Sequence, residues 1–175
     1  GSAQWIWPVD PRWDLHNSYV LFRHAFVLDR VPRKAPLFIT ADQSYQLYIN
    51  GAFVTRGPAR GFQSHWPFDE VDVSPWLVPG PNIFAIRAYT PGRSNFQYIT
   101  QGYAGLLVSA KWGHTKIQSD NTWKCIPQPG IKRDAIQCGH QLFDQEHYDA
   151  RKGIKGWVNS DFDDSEWLAP VEHLN

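Results

Sequence analysis

The sequence holds back several features that would name a function outright. It has two cysteines, Cys125 and Cys138, and no Cys/His spacing that suits zinc, so a metal finger is excluded. The pair leaves two readings open: a single disulfide, worth about 3 kcal/mol in the chain-entropy model, or two free thiols. Charge of either sign is not in excess. Seventeen basic and seventeen acidic side chains cancel, so the field that draws nucleic acid or anionic lipid is missing, and neither nucleic acid nor membrane is expected as a partner. No apolar run approaches the roughly 18 residues of a membrane helix, and the chain is expected to be soluble as given. The N-terminus has no basic-then-apolar signal pattern. Gly1-Ser2 has the look of a cloning remnant, so the start is silent about compartment, with a secreted or periplasmic location favoured. Long amphipathic helices, internal repeats, phosphate-cradling glycine loops and G-x-S-x-G nucleophile motifs are all lacking. A free-standing hydrolase would need a site that the sequence does not offer.

Aromatic content, by contrast, is high: nine Trp, seven Tyr and ten Phe beside thirteen Pro and thirteen Gly. This composition favours strands and turns, and most of the tryptophans are expected between two sheets. Trp5 and Trp7 flank Ile6 on an expected edge strand. "SYVLFRHAFVL" (Ser18 to Leu28) mixes apolar and polar residues as a half-buried strand does. "APLFITAD" (Ala35 to Asp42) predicts a second. In "SYQLYINGAFVT" (Ser44 to Thr55), Tyr45, Leu47 and Ile49 share one face against Gln46 and Tyr48, and Asn50-Gly51 supplies the two positive-φ positions of a type I′ hairpin.

"RGPARGFQSHWPFDEVDV" (Arg56 to Val73) reads as a long loop ending in a short extended piece. Ser74-Pro75 predicts one helical turn. "NIFAIRAYT", "GLLVSAKW" and "TWKCI" complete about eight strands. With no interleaved helices, the pattern predicts a single all-β domain over 1–175, an antiparallel β-sandwich of jelly-roll type. From Pro127 onward the pattern weakens, and "SDFDDSEWLAP" (Ser160 to Pro170) reads as a turn-rich tail docked through Trp167.

Taken in order, "FRHAFVL", "ITADQSYQLYING", "RGPAR", "FDEVDVSPWLVPGPN", "SDNTWK", "EHYDAR" and "GWVNSDFDDSEW" resemble the N-terminal sandwich domain of bacterial α-L-rhamnosidases. The most specific part is Glu-x-Tyr-Asp-Ala-Arg followed by Gly-Trp and Asp-Asp-Ser-x-Trp. The resemblance implies a galactose-binding-like jelly roll that precedes, in the parent glycoside hydrolase, an (α/α)₆ barrel where terminal α-L-rhamnose is removed with inversion. It carries no catalytic role onto any of these 175 positions. The implied role is that of a non-catalytic accessory domain that orients the remaining domains of the parent enzyme. The alternative is a lectin-like module that binds a rhamnose-containing glycan through calcium.

Several residues compete as sites. Glu146 and Asp149 could be a glycosidase pair only if they faced each other across a sugar; pairing with Arg151 or with backbone N–H groups in a structural corner is the simpler expectation. Asp69, Glu70 and Asp72 lack the order of a calcium loop and read as a solvated edge. The resemblance implies calcium at an adjacent Asp-Asn pair before the hairpin. Asp42 holds the first of those positions, and Gln43, one methylene longer, departs from the second. Arg60, His65 and Trp66 in the long loop combine an indole with polar neighbours, a combination that suits a pyranose, although Trp66 could equally plug the sandwich end.

Overall fold

The computed structural model describes residues 2–8, 15–62 and 64–173. Among the described residues, eleven strands form two antiparallel sheets facing each other, an all-β jelly-roll sandwich, and there is no α-helix. The first sheet is ordered β11 (Val171–His173), β1 (Trp5–Trp7), β8 (Gly105–Trp112), β3 (Pro36–Asp42) and β6 (Asp69–Asp72), with β9 (Thr115–Gln118) also on β8. One edge of β8 pairs with β1 at Leu106 and with β9 from Ser109 to Trp112. The second sheet runs β10 (Lys124–Pro127), β2 (Ser18–Leu28), β7 (Gly80–Thr90), β4 (Ser44–Ile49) and β5 (Ala52–Gly57).

Side-chain alternation decides what fills the space between the sheets. Leu37, Ile39 and Ala41 of β3 and Leu106, Val108 and Ala110 of β8 point inward from the first sheet. Val20 and Phe22 of β2, Tyr45, Leu47 and Ile49 of β4, and Phe84, Ile86 and Ala88 of β7 meet them from the second. The face expected for β4 is therefore the one that is buried. The hairpin forms as expected, with Asn50 at φ 50° and Gly51 at φ 87°. Ser74–Trp76 makes one 3₁₀ turn with Pro75 in its first turn.

Three expectations need correction. Strand β1 is not an edge, since β11 and β8 flank it on both sides. Strands β9 and β11 join the sheets although three or four residues leave no alternation to read. Of the described tryptophans, Trp7, Trp112 and Trp123 belong to the core between the sheets. Trp76 packs on the rim of that core, and Trp5, Trp66, Trp157 and Trp167 lie outside it. Trp13 and Gly1, half of the suspected remnant, lie outside the described residues. Cys125 is buried and Cys138 exposed, and both are free thiols.

Residues 128–170 pair with almost nothing by ladder, yet they fold against the outer face of the second sheet. Isolated bridges pin the segment to itself at Ile131–Tyr148 and Gln137–Asp144, and to β10 at Leu168–Cys125. Arg23, projecting outward from β2, is buried beneath it. Its guanidinium donates to the carboxylate of Asp164 and to the backbone carbonyls of Trp157, Asn159 and Phe162. Arg23 also lies over the Phe162 ring, 5.0 Å from its centroid. A buried guanidinium needs all its donors engaged, and this turn is shaped to accept them.

Candidate functional site

The motif Glu146–Arg151 is split between two jobs. Glu146 Oε1 lies 2.9 Å from Nη2 of Arg87 on β7, close enough for an ion pair though not aligned as a hydrogen bond. Arg87 in turn lies over the Tyr19 ring at 4.4 Å and donates from Nε to Gln128 Oε1 at 2.7 Å. Asp149 is engaged separately. Arg151 donates to both of its oxygens, from Nε at 2.8 Å and from Nη2 at 2.9 Å, and the Arg151 backbone N–H adds a third bond. Those bonds, led by the guanidinium, hold the Asp149 carboxyl below the usual carboxylate range. A depression of about 790 Å³ beside this corner is lined by Asp149, Lys132, His147 and Lys152. Glu146 is not on its wall. Glycoside hydrolysis asks for two carboxyl groups across a sugar, whereas this hollow presents one, already chelated.

Two of the other candidates, Asp42 and Trp66, meet along one row of strand β3. Three successive outward residues of β3 are each covered by one residue from a loop. Phe38 meets Phe68 edge to face, with ring centroids 5.8 Å apart. Thr40 accepts the indole N–H of Trp66 at 3.1 Å and donates its own hydroxyl to the Pro67 carbonyl at 2.7 Å. Asp42 accepts the phenol of Tyr98. The sequence offers Trp66 and Asp42 as candidates, and β3 does bring them to one row. It does not give them a shared cavity.

Asp42 is 6% exposed, and burial raises its carboxyl to about 6, with the Tyr98 hydroxyl working against the rise. Gln43 carries the chain from β3 to β4 and donates its backbone N–H to Tyr89. No group of three or more His, Cys, Asp or Glu that could hold a metal ion occurs among the described residues. Calcium takes six to eight oxygens with charged carboxylates among them, and a lone buried carboxyl that already accepts the Tyr98 hydroxyl does not fit that donor set. Arg60 donates to Gln97 at 2.6 Å, and His65 Nδ1 lies 3.0 Å from the Ser64 hydroxyl, both in the open. Asp69 accepts the Tyr45 hydroxyl at 2.5 Å, and Asp72 accepts the backbone N–H groups of Ala35 and Ser74. These two acids brace the edge strand and do not converge on an ion.

Trp66, Phe38 and Phe68 line an apolar groove of about 290 Å³, with Trp5 and Leu107 completing it from β1 and β8. Sequence reasoning singled out Trp66 as a binding residue and gave Trp5 to core or interdomain packing, but missed Phe38, Phe68 and Leu107. The available signal was the outward position of Phe38, which alternation on β3 fixes once Leu37 and Ile39 are placed in the core.

Comparison with known proteins places this geometry in context. Residues 30–175 match the family described as alpha-L-rhamnosidase N-terminal domain. An alpha-L-rhamnosidase of Streptomyces avermitilis is 29% identical over 173 residues, which cover 84% of this chain and 15% of that protein. The crystal structure of a GH78 family rhamnosidase of Bacillus sp. GL1 superposes with a TM-score of 0.90 at 29% identity, covering 98% of this chain and 18% of that one. The α-L-rhamnosidase of Aspergillus terreus gives 0.76 at 26% identity, covering 99% and 21%. The chain thus spans about a fifth or less of the relatives it matches.

Proposed function

Because the chain belongs to the α-L-rhamnosidase N-terminal domain family, we propose that it is a non-catalytic accessory domain of a longer α-L-rhamnosidase-like glycoside hydrolase, and that it packs against and orients the remaining domains. One observation carries this reading. The two carboxylates of the most family-specific motif are held by different arginines, Glu146 by Arg87 and Asp149 by Arg151, and Glu146 is not on the wall of the hollow that Asp149 lines. Glu146 thereby ties this segment to β7 of the second sheet, while Asp149 braces its own turn. Function resides in sites placed on folds, and the acids of this fold support architecture.

The calcium-dependent rhamnose-binding alternative relied on Asp42, whose carboxyl is occupied by Tyr98 and shielded from solvent. No observation favours it over the accessory role.

The experiment is an assay of the 175-residue chain against an aryl α-L-rhamnoside beside the longer polypeptide. The chain alone is expected to give no turnover above buffer, and the longer polypeptide is expected to hydrolyse the substrate. Turnover by the 175-residue chain would overturn the reading.

A further inference from the structure

The two outer faces of the sandwich are treated differently. Over the second sheet, the chain's own residues 128–170 bury Arg23 and Leu21, and they set Trp157 against Tyr48 and Phe143 against Tyr89. Over the first sheet, none of the described residues forms such a cover at the groove of Trp5, Phe38, Trp66, Phe68 and Leu107. Phe68 is 62% exposed and Phe38 39% exposed, although each packs on the other. Adjoining exposed aromatics of this kind mark an interaction surface, and preordered Trp and Phe side chains make effective anchors.

We infer that this groove is the seat for an apolar side-chain cluster on another domain of the same longer chain. The inference rests on the accessory-domain reading and names the surface through which it acts. The occupant follows from two facts. The matched relatives carry about four-fifths or more of their length outside the region that this chain covers, so a covalently tethered partner is at hand. The groove's chemistry then selects apolar side chains over a sugar. The Thr40 hydroxyl is spent on Pro67 and Trp66, and the indole N–H of Trp66 is spent on Thr40. Ser109 is the one other hydroxyl on the wall. A pyranose would lose hydration of its hydroxyls here and find too few partners in exchange, whereas Leu, Phe or Met side chains lose nothing polar. The volume, about 290 Å³, falls at the small end of the roughly 300–1,000 Å³ typical of small-molecule sites and suits a few inserted side chains.

Hydroxyl-radical footprinting of the longer polypeptide tests this with internal standards. Phe53 and Phe68 have similar exposure in this structure, 53% and 62%, and Phe53 lies on the other sheet. Phe68, Phe38 and Trp66 are expected to be modified at least fivefold more slowly than Phe53, and Phe68→Asp is expected to bring Trp66 up to the Phe53 rate. Equal rates for Phe68 and Phe53 would overturn the inference. If Phe53 or Phe96 is protected while Phe68 is not, the domain docks by another face, and the accessory reading survives without this one. If none is protected, both fail. Protection of Phe68 that disappears on dilution would assign the groove to a second copy and also overturn it.

Discussion

Arg23 Nε and Asp164 Oδ2 lie 2.7 Å apart although 141 residues separate them in sequence. The guanidinium sits beneath the segment that carries the most family-specific residues, and the carboxylate comes from the Asp-Asp-Ser-x-Trp stretch of that segment. The pair ties the last third of the chain to the second strand. A buried arginine with one partner removed retains a charge it can neither hydrate nor neutralise.

Asp164→Ala should therefore lower unfolding stability by about 3–5 kcal/mol. Arg23→Met, which removes the charge and keeps the bulk, should cost less. Urea denaturation of both variants against the parent chain checks the order, and a loss under about 1 kcal/mol for Asp164→Ala would show the carboxylate to be dispensable.

The Asp42 carboxyl makes stability depend on pH in a defined direction. Its folded value, about 6, lies above its ordinary value of 3.8 because burial disfavours the charge. The folded state therefore binds the proton more tightly than the unfolded state. The associated stability is fully present below pH 3.8 and is lost as pH rises through 6. Asp42→Asn keeps the shape and removes the titration. It should be more stable than the parent chain at pH 8 by something on the order of 3 kcal/mol, and the difference should vanish near pH 4. Denaturation midpoints measured from pH 4 to 8 test it, and parallel curves for the two proteins would contradict it.

Burial raises the Cys125 thiol to about 12, and Cys138 is exposed. A thiolate-directed reagent at pH 8 should label one cysteine per folded chain rapidly, and peptide mapping should place the label on Cys138. Both should react once urea is added. Two fast thiols, or none, would contradict the placement.

Asn50 does more than turn the hairpin. Its Nδ2 donates to the Trp76 carbonyl and to Asn82 Oδ1, both at 2.9 Å, and its Oδ1 accepts the Ile83 backbone N–H at 2.9 Å. Asn50→Ala loses all three bonds, leaves the Ile83 amide without its acceptor, and puts alanine at positive φ. A cost of about 2–4 kcal/mol follows. Asn50→Gly loses the same bonds but adopts positive φ without strain and should cost less. Thermal unfolding of the two variants checks the ranking.

The fold was legible wherever alternation ran long enough to read. Strands β2, β4 and β8 declared their inward faces through Phe22, Leu47 and Val108, and Asn50-Gly51 fixed the pairing of β4 with β5 next to the turn, before the register shifts between Leu47 and Tyr48. Strand β11 has three residues and β9 four. At that length period-two patterning carries no information, and tertiary pairing alone decides. Residues 128–170 were harder still, because their order comes from Arg23, Arg87 and Tyr48, residues distant in sequence. The candidate site was half legible. Trp66 could be picked out by type, but the burial of Asp42 depends on Tyr98 from a loop 56 residues away. No local pattern announces such a partner.

The accessory-domain proposal requires that the carboxylates of the Glu-x-Tyr-Asp-Ala-Arg motif hold structure and take no part in bond cleavage. Its most direct test is the turnover number of the longer polypeptide on an aryl α-L-rhamnoside with Glu146→Gln and, separately, Asp149→Asn. Both variants are expected to keep kcat within about twofold of the parent, with any loss appearing in thermal stability. A fall of a hundredfold or more in kcat, about 2.7 kcal/mol of transition-state stabilisation, in a variant that remains folded would contradict it.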